Sequence, residues 1–134
     1  MKSLTELTKA IGKKSKYNNV KVEIDGYKFD SKAEGAYYEY LKMQKKAGKV
    51  SYFLMQVPFI LPGGVRYRLD FMVIKNTGES LAGGYDYFDI EYIDVKGCIT
   101  SVFRIKKKQV EALYPVKIKC VKRIGSTGYL FRDT

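Results

Sequence analysis

Apolar and polar residues alternate through "VKVEIDGYKFD" (20–30), with Asp25-Gly26 at the centre. Alternation interrupted by Asp-Gly predicts a β-hairpin closed by a two-residue type I′ turn. The spacing then changes. In "DSKAEGAYYEYLKMQKKAG" (30–48), Tyr37, Tyr40, Leu41 and Gln44 recur at helical intervals, Ser31 and Glu34 stand at capping-box spacing, and Gly48 can close the far end. "VSYFLMQVPFIL" (50–61) predicts a strand bent at Pro58, followed by a Pro62-Gly63-Gly64 turn. In "VRYRLDFMVIK" (65–75), alternation puts Tyr67, Leu69, Phe71 and Val73 on one face and Arg66, Arg68, Asp70 and Met72 on the other.

The Gly-rich, polar stretch 76–87 predicts a loop or loose hairpin, and "FDIEYIDVKG" (88–97) the third strand of a sheet. A helix follows over 101–115, with Phe103, Val110, Leu113 and Tyr114 as core candidates and Pro115 as its stop. "VKIKCVKRI" (116–124) alternates again as a last strand, before a Gly-containing tail in which Tyr129 and Phe131 are available for docking. At the other end, 3–11 reads as a short helix and "GKKSKYNN" (12–19) as a basic arm or linker. The expected order is hairpin, helix, three strands, helix, strand, an α/β arrangement without internal repeats.

At 134 residues the chain is expected to form one domain, 1–134, with 1–19 as its arm. A chain of this size buries about two-thirds of its unfolded surface, enough for a core. Twenty-five Lys and Arg against 14 acids give a net charge of +11, a field that attracts polyanions, nucleic acid first among them. No apolar run reaches the roughly 20 residues of a spanning helix, and no secretory signal is read, so a cytoplasmic protein is expected. Cys98 and Cys120 form no C-x-x-C pair and are expected to be buried free thiols. Histidine is absent, which removes histidine triads, histidine–metal nucleases and histidine general bases.

Within "EYIDVKG" (91–97), residues two apart share a face, so Asp94 and Lys96 project together with Tyr92 while Ile93 and Val95 face the core. Asp70 holds an equivalent place on the preceding strand. Two adjacent carboxylates repel, and one resists ionising unless a cation joins them. Mg²⁺ suits such a site, because it takes one or two protein carboxylates and completes its shell with water and phosphate oxygens. The plain alternative is a surface ion pair between Asp94 and Lys96, worth about 0–1 kcal/mol.

Read together, "FDSKAE", "QVPFIL", "YRLDF", "DVKG" and a basic helix ending in Tyr114-Pro115 resemble the PD-(D/E)xK nuclease superfamily. More narrowly they resemble small phage-encoded nucleases related to Holliday-junction resolvases. The resemblance covers residues 17–124. It implies a restriction-endonuclease-like core of helix, three-stranded meander, helix and strand. It makes Asp70 the first aspartate of the motif, Asp94 its second acid, Lys96 its lysine and Glu34 the helix glutamate. Leu69 stands where the name-giving proline would be, and the long gap before Asp94 leaves Asp86, Asp89 and Glu91 as candidate acids, Glu91 disfavoured because alternation turns it away from Asp94. Glu34 is equally explained as the partner of Ser31 in a capping box.

The resemblance further implies a DNA endonuclease dependent on Mg²⁺ or Mn²⁺, held by Asp70, Asp94, the Val95 carbonyl and Glu34, with Lys96 assisting. It points to branched DNA, to phage recombination, replication or packaging in a host cytoplasm, and to a homodimer with two cutting sites. No small-molecule cofactor is expected. Candidate nucleic-acid contacts are Lys13, Lys14 and Lys16 on the arm, Arg66 and Arg68 on the Asp70 face, and Lys106, Lys107, Lys108 and Gln109 on the second helix. The rival reading is a basic DNA-binding module that keeps a nuclease-like shape without cleaving. An RNA-directed nuclease fits the same residues.

Overall fold

The computed structural model describes residues 20–81 and 85–134. Strands β1 (Val22–Ile24) and β2 (Tyr27–Phe29) form an antiparallel two-stranded sheet. Asp25 and Gly26 between them have φ of 53° and 82°, the two left-handed residues that a type I′ turn requires. Helix α1 (Lys32–Lys46) starts where Ser31 Oγ accepts the Glu34 N–H at 3.1 Å, and Gly48, with φ 77°, takes the chain out of it. The hairpin lies against α1 at Gly35, where an added Cβ would stand 2.8 Å from Val22 Cγ2 and 3.0 Å from Ile24 Cδ1.

The second sheet contains β3 (Val50–Leu61), β4 (Val65–Leu81), β5 (Tyr85–Val95), β6 (Ile118–Arg123) and β7 (Phe131–Asp133), hydrogen-bonded in that order. β5 and β6 run parallel, joined by a crossover that contains α2 (Ser101–Leu113), and the other neighbours are antiparallel. The molecule is therefore a mixed α/β protein with a small two-stranded sheet, a five-stranded mixed sheet and two helices among the described residues. No described helix is long and apolar enough to cross a membrane.

Two cores lie on the two faces of the sheet. Phe29, Tyr37, Leu41, Phe71, Val73 and Ile93 belong to the first, against α1. Phe59, Leu61, Tyr67, Leu69, Phe103 and Val110 belong to the second, against α2. The alternation of β4 thus holds in parity but not in destination, since Tyr67 and Leu69 join one core, and Phe71 and Val73 the other. The change falls at Asp70. Its register neighbour is Gln56, between the pairs Met55↔Phe71 and Val57↔Leu69, and Gln56 has φ 53°. A left-handed non-glycine residue within a strand reorients the chain, and this one stands beside the candidate site.

Several expectations change here. The backbone irregularity of β3 sits at Gln56, while Pro58 stays in register opposite Arg68. The stretch after residue 75 continues β4 to Leu81, with a register shift between Asn76 and Ser80 where Gly78 has φ 72°. The tail forms β7, whose Phe131 ring meets Tyr37 edge-on at 4.8 Å. Leu113 is exposed, whereas Phe103 and Val110 are buried. Cys98 is exposed and only Cys120 of the pair is buried.

Candidate functional site

The last registered pair of the β4–β5 ladder is Phe71 and Ile93, so the next position would face Asp70 with Asp94. Side chains take over from backbone there. The Asp70 N–H donates to Asp94 Oδ1 at 3.2 Å, and the Val95 N–H donates to Asp70 Oδ2 at 2.9 Å. Each carboxylate accepts a backbone N–H from the neighbouring strand, which holds the two acids together where the ladder ends.

A cavity of about 500 Å³ opens at this point, with Asp30, Glu34, Asp70, Val95 and Lys96 on its wall, closed on another side by Gly97, Cys98, Thr100 and Phe103. Glu34 arrives from the first turn of α1, and the far side is the start of α2, where Thr100 Oγ1 accepts the Phe103 N–H. Asp94 lies behind the wall with no exposure at all, so the exit it was expected to share with Lys96 belongs to Lys96 alone. Lys96 Nζ sits 5.0 Å from the centroid of the Phe103 ring.

Glu34, Asp70 and Asp94 are 4%, 7% and 0% exposed and are the buried charged or polar side chains among the described residues. Carboxylates are almost never buried without compensation. Burial, and next the charges of Asp70 and Asp30, push the Glu34 pKa up to about 7 against the pull of the Asp30 N–H and Arg68. Burial raises Asp94 to about 6, opposed by Lys96 and the Asp70 N–H. Asp70 is also raised by burial and held back by Lys96, the Val95 N–H and Arg68. The three acids resist ionising together in the absence of a positive partner beyond Lys96 and Arg68.

Glu34 performs half of each role read for it. Its N–H is capped by Ser31, and its own Oε2 accepts the Asp30 N–H at 3.3 Å, one residue before the position a capping box uses. Its Oε1 is buried with no hydrogen-bond partner, as is Asp94 Oδ2. Buried carboxylate oxygens without a donor are hard ligands of the kind Mg²⁺ or Mn²⁺ takes. The fit is that of a partial shell rather than a cage: among the described residues no three Asp, Glu or Cys side chains are gathered as a ready-made cation site.

The remaining candidates divide. Arg68 pairs with Asp30 at 2.6 Å at the cavity rim, and Arg66 on the same strand is exposed away from the cavity wall. Lys106, Lys107, Lys108 and Gln109 do not line it. Lys107 instead bonds Glu111 at 3.0 Å, and Glu111 accepts the Ile118 N–H that opens β6. Lys13, Lys14 and Lys16 lie outside the described residues. Glu91 is taken by Lys75 and Lys119, and Asp89 is exposed opposite Lys75 in the ladder. Asp86 pairs through its backbone with Ser80, near the far end of the hairpin. Asp30 was missed, although it precedes the capping serine and is an acid next to a strand end.

Fold and site together define a mixed α/β protein with a buried carboxylate cluster and one lysine at the carboxyl end of β5. The chain belongs to the family described as "Protein of unknown function (DUF1064)", whose model matches residues 14–127. Comparison with curated proteins and with solved structures finds no match.

Proposed function

We propose that the protein is a metal-dependent endonuclease of the PD-(D/E)xK type that hydrolyses phosphodiester bonds in DNA. The observation that carries this reading is the pair of bonds at the end of the β4–β5 ladder, Asp70 N–H to Asp94 Oδ1 and Val95 N–H to Asp70 Oδ2, with Lys96 on the cavity wall beside Asp70. A meander followed by a helix and a parallel strand supports the restriction-endonuclease-like topology. The net charge of +11 supports a polyanionic substrate.

Asp70, Asp94, the Val95 carbonyl and Glu34 would hold Mg²⁺ or Mn²⁺, which when bound neutralises phosphate charge and lowers the pKa of coordinated water toward neutrality without a histidine. The Val95 N–H fixes the Asp70 carboxylate through Oδ2, and the Asp70 N–H fixes Asp94 through Oδ1. Without a cation, burial and the Asp70 and Asp30 charges raise the Glu34 pKa to about 7, and its unpartnered Oε1 is the atom free to meet one. Lys96 supplies positive charge where the phosphate gains negative charge, and losing such a contact typically costs on the order of 10²–10³ in rate. Phe103 packs against the Lys96 ammonium and limits its range.

Branched DNA is the substrate we assign, and paired cuts on two strands require two sites, hence a homodimer. The test is hydrolysis of end-labelled DNA with Mg²⁺ and its loss in EDTA.

A further inference from the structure

β5 and β6 run parallel, so Lys96-Gly97, just past β5, and Lys122-Arg123, the last residues of β6, lie at the same edge of the sheet, the carboxyl end where α/β proteins place ligands. α1 begins there too. Beside the acid cavity lies a second hollow of about 270 Å³, lined by Lys32, Gly97, Lys122, Arg123, Gly125 and Ser126. Gly97 lines both cavities.

The two differ in charge. The first has three acids on its wall, whereas the second has three cations and no acid. Lys32 and Lys122 take part in none of the described ion pairs, which elsewhere engage Lys42, Arg68, Lys75, Lys107 and Lys119. Arg123 uses Nε and Nη2 to hold the Gly128 carbonyl, at 3.0 and 2.8 Å, which fixes the turn carrying Gly125 and Ser126 and places the guanidinium in the wall. Three like charges line one hollow with no carboxylate on its own wall; Glu39 shares an adjoining hollow with Lys32 and Arg123 and accepts from the Tyr129 hydroxyl, and an anion in the basic hollow relieves the repulsion of the three cations.

We propose that this hollow is a phosphate-binding subsite. It receives a phosphate of the same strand whose neighbouring phosphate is presented to Asp70 and Lys96, and so sets which bond lies over the acids. The proposal rests on the nuclease reading for the identity of the strand, but not for the chemistry of the pocket. Successive phosphates of one strand advance only about 3.4 Å along a duplex axis, so two contiguous hollows sharing Gly97 suit neighbours on a chain. The phosphate is either internal to a continuous strand or a terminal monophosphate at a strand end.

The experiment is metal-free binding of fluorescent oligonucleotides in EDTA across a salt series, with 5′-hydroxyl and 5′-phosphate strands, using wild type, Lys32→Ala, Lys122→Ala and Lys122→Arg. Each alanine variant is expected to reduce the log–log salt slope by about 1, and Lys122→Arg to retain it. Equal losses on both strands assign an internal phosphate; a loss confined to the 5′-phosphate strand assigns a terminal one. Unchanged slopes in both alanine variants overturn the subsite even if wild type cuts DNA. Wild type that binds with these slopes but never cuts retains the subsite and removes the nuclease reading. Absence of any nucleic-acid binding by wild type overturns the subsite as well. Lys32 is exposed at the first position of α1, so its variant reports even if Lys122→Ala, within β6, fails to fold.

Discussion

Asp70 and Asp94 grip each other's strands: the Asp70 N–H donates to Asp94 Oδ1, and Asp70 Oδ2 accepts the Val95 N–H. The two acids sit one position beyond the last registered pair, Phe71 and Ile93. They therefore hold two strands where backbone pairing ends, the Asp94 carboxylate oriented by the Asp70 N–H and the Asp70 carboxylate by the Val95 N–H. Structure and proposed chemistry depend on the same two hydrogen bonds.

The buried acids make the metal-free protein sensitive to pH. Glu34 and Asp94 have folded pKa values of about 7 and about 6, above the ordinary values of 4.5 and 3.8. Between the ordinary and the raised value, the folded state holds a proton that the unfolded state has released. Stability from these groups therefore falls as pH rises from about 4 to about 7, by about 1.4 kcal/mol per unit of displacement. Thermal unfolding in EDTA should show a lower Tm at about pH 8 than at about pH 5, with Mg²⁺ restoring much of the loss at the higher pH. Equal Tm values in EDTA and in Mg²⁺ without chelator, at both pH values, would show that no cation meets these carboxylates.

Ser31 and Glu34 separate capping from chemistry. Ser31→Ala removes the acceptor of the Glu34 N–H and should cost roughly 0.5–2 kcal/mol while leaving the carboxylate in place. Glu34→Gln keeps an oxygen for the Asp30 N–H but removes the buried charge. It should raise the metal-free Tm at about pH 8, leave it little changed at about pH 5, and slow cleavage. Chemical denaturation beside a cleavage assay distinguishes the two, and a Glu34→Gln variant that cuts at the wild-type rate would leave Glu34 a cap alone.

Gly35 lets the β1–β2 hairpin sit on α1. Alanine there should gain roughly 0.5–1 kcal/mol of helix propensity but lose about 1–3 kcal/mol to overpacking against Val22 and Ile24. Denaturant unfolding of Gly35→Ala should show a net loss of stability. A gain would mean that the hairpin shifts freely.

Much of this was legible because it is local. Asp25-Gly26 dictates its turn, Ser31 its helix start, and alternation in β5 turns Asp94 away from Ile93 and Val95. What stayed hidden is set by tertiary context. Gln56 has no sequence mark of its left-handed φ, because glutamine rarely adopts it without surrounding structure to enforce it. Alternation predicts a face but not what covers it, so it missed both the full burial of Asp94 and the passage of β4 from one core to the other. The basic hollow unites Lys32 with Lys122 and Arg123, residues far apart in sequence that meet only because the start of α1 lies beside the end of β6. Lys107 belongs to a run that reads as a DNA grip, yet its bond to Glu111 ties it to the start of β6.

The most direct test of the account is cleavage of a labelled four-way junction beside linear duplex and single-stranded DNA, with Mg²⁺, Mn²⁺ or EDTA, for wild type and Asp94→Asn. The account predicts paired cuts in the junction that depend on the cation, and a loss of at least 10²-fold, on the order of an electrostatic catalytic contact, in the variant while metal-free binding persists. No cutting of any of these DNAs in either cation, or wild-type cutting by Asp94→Asn, would contradict it.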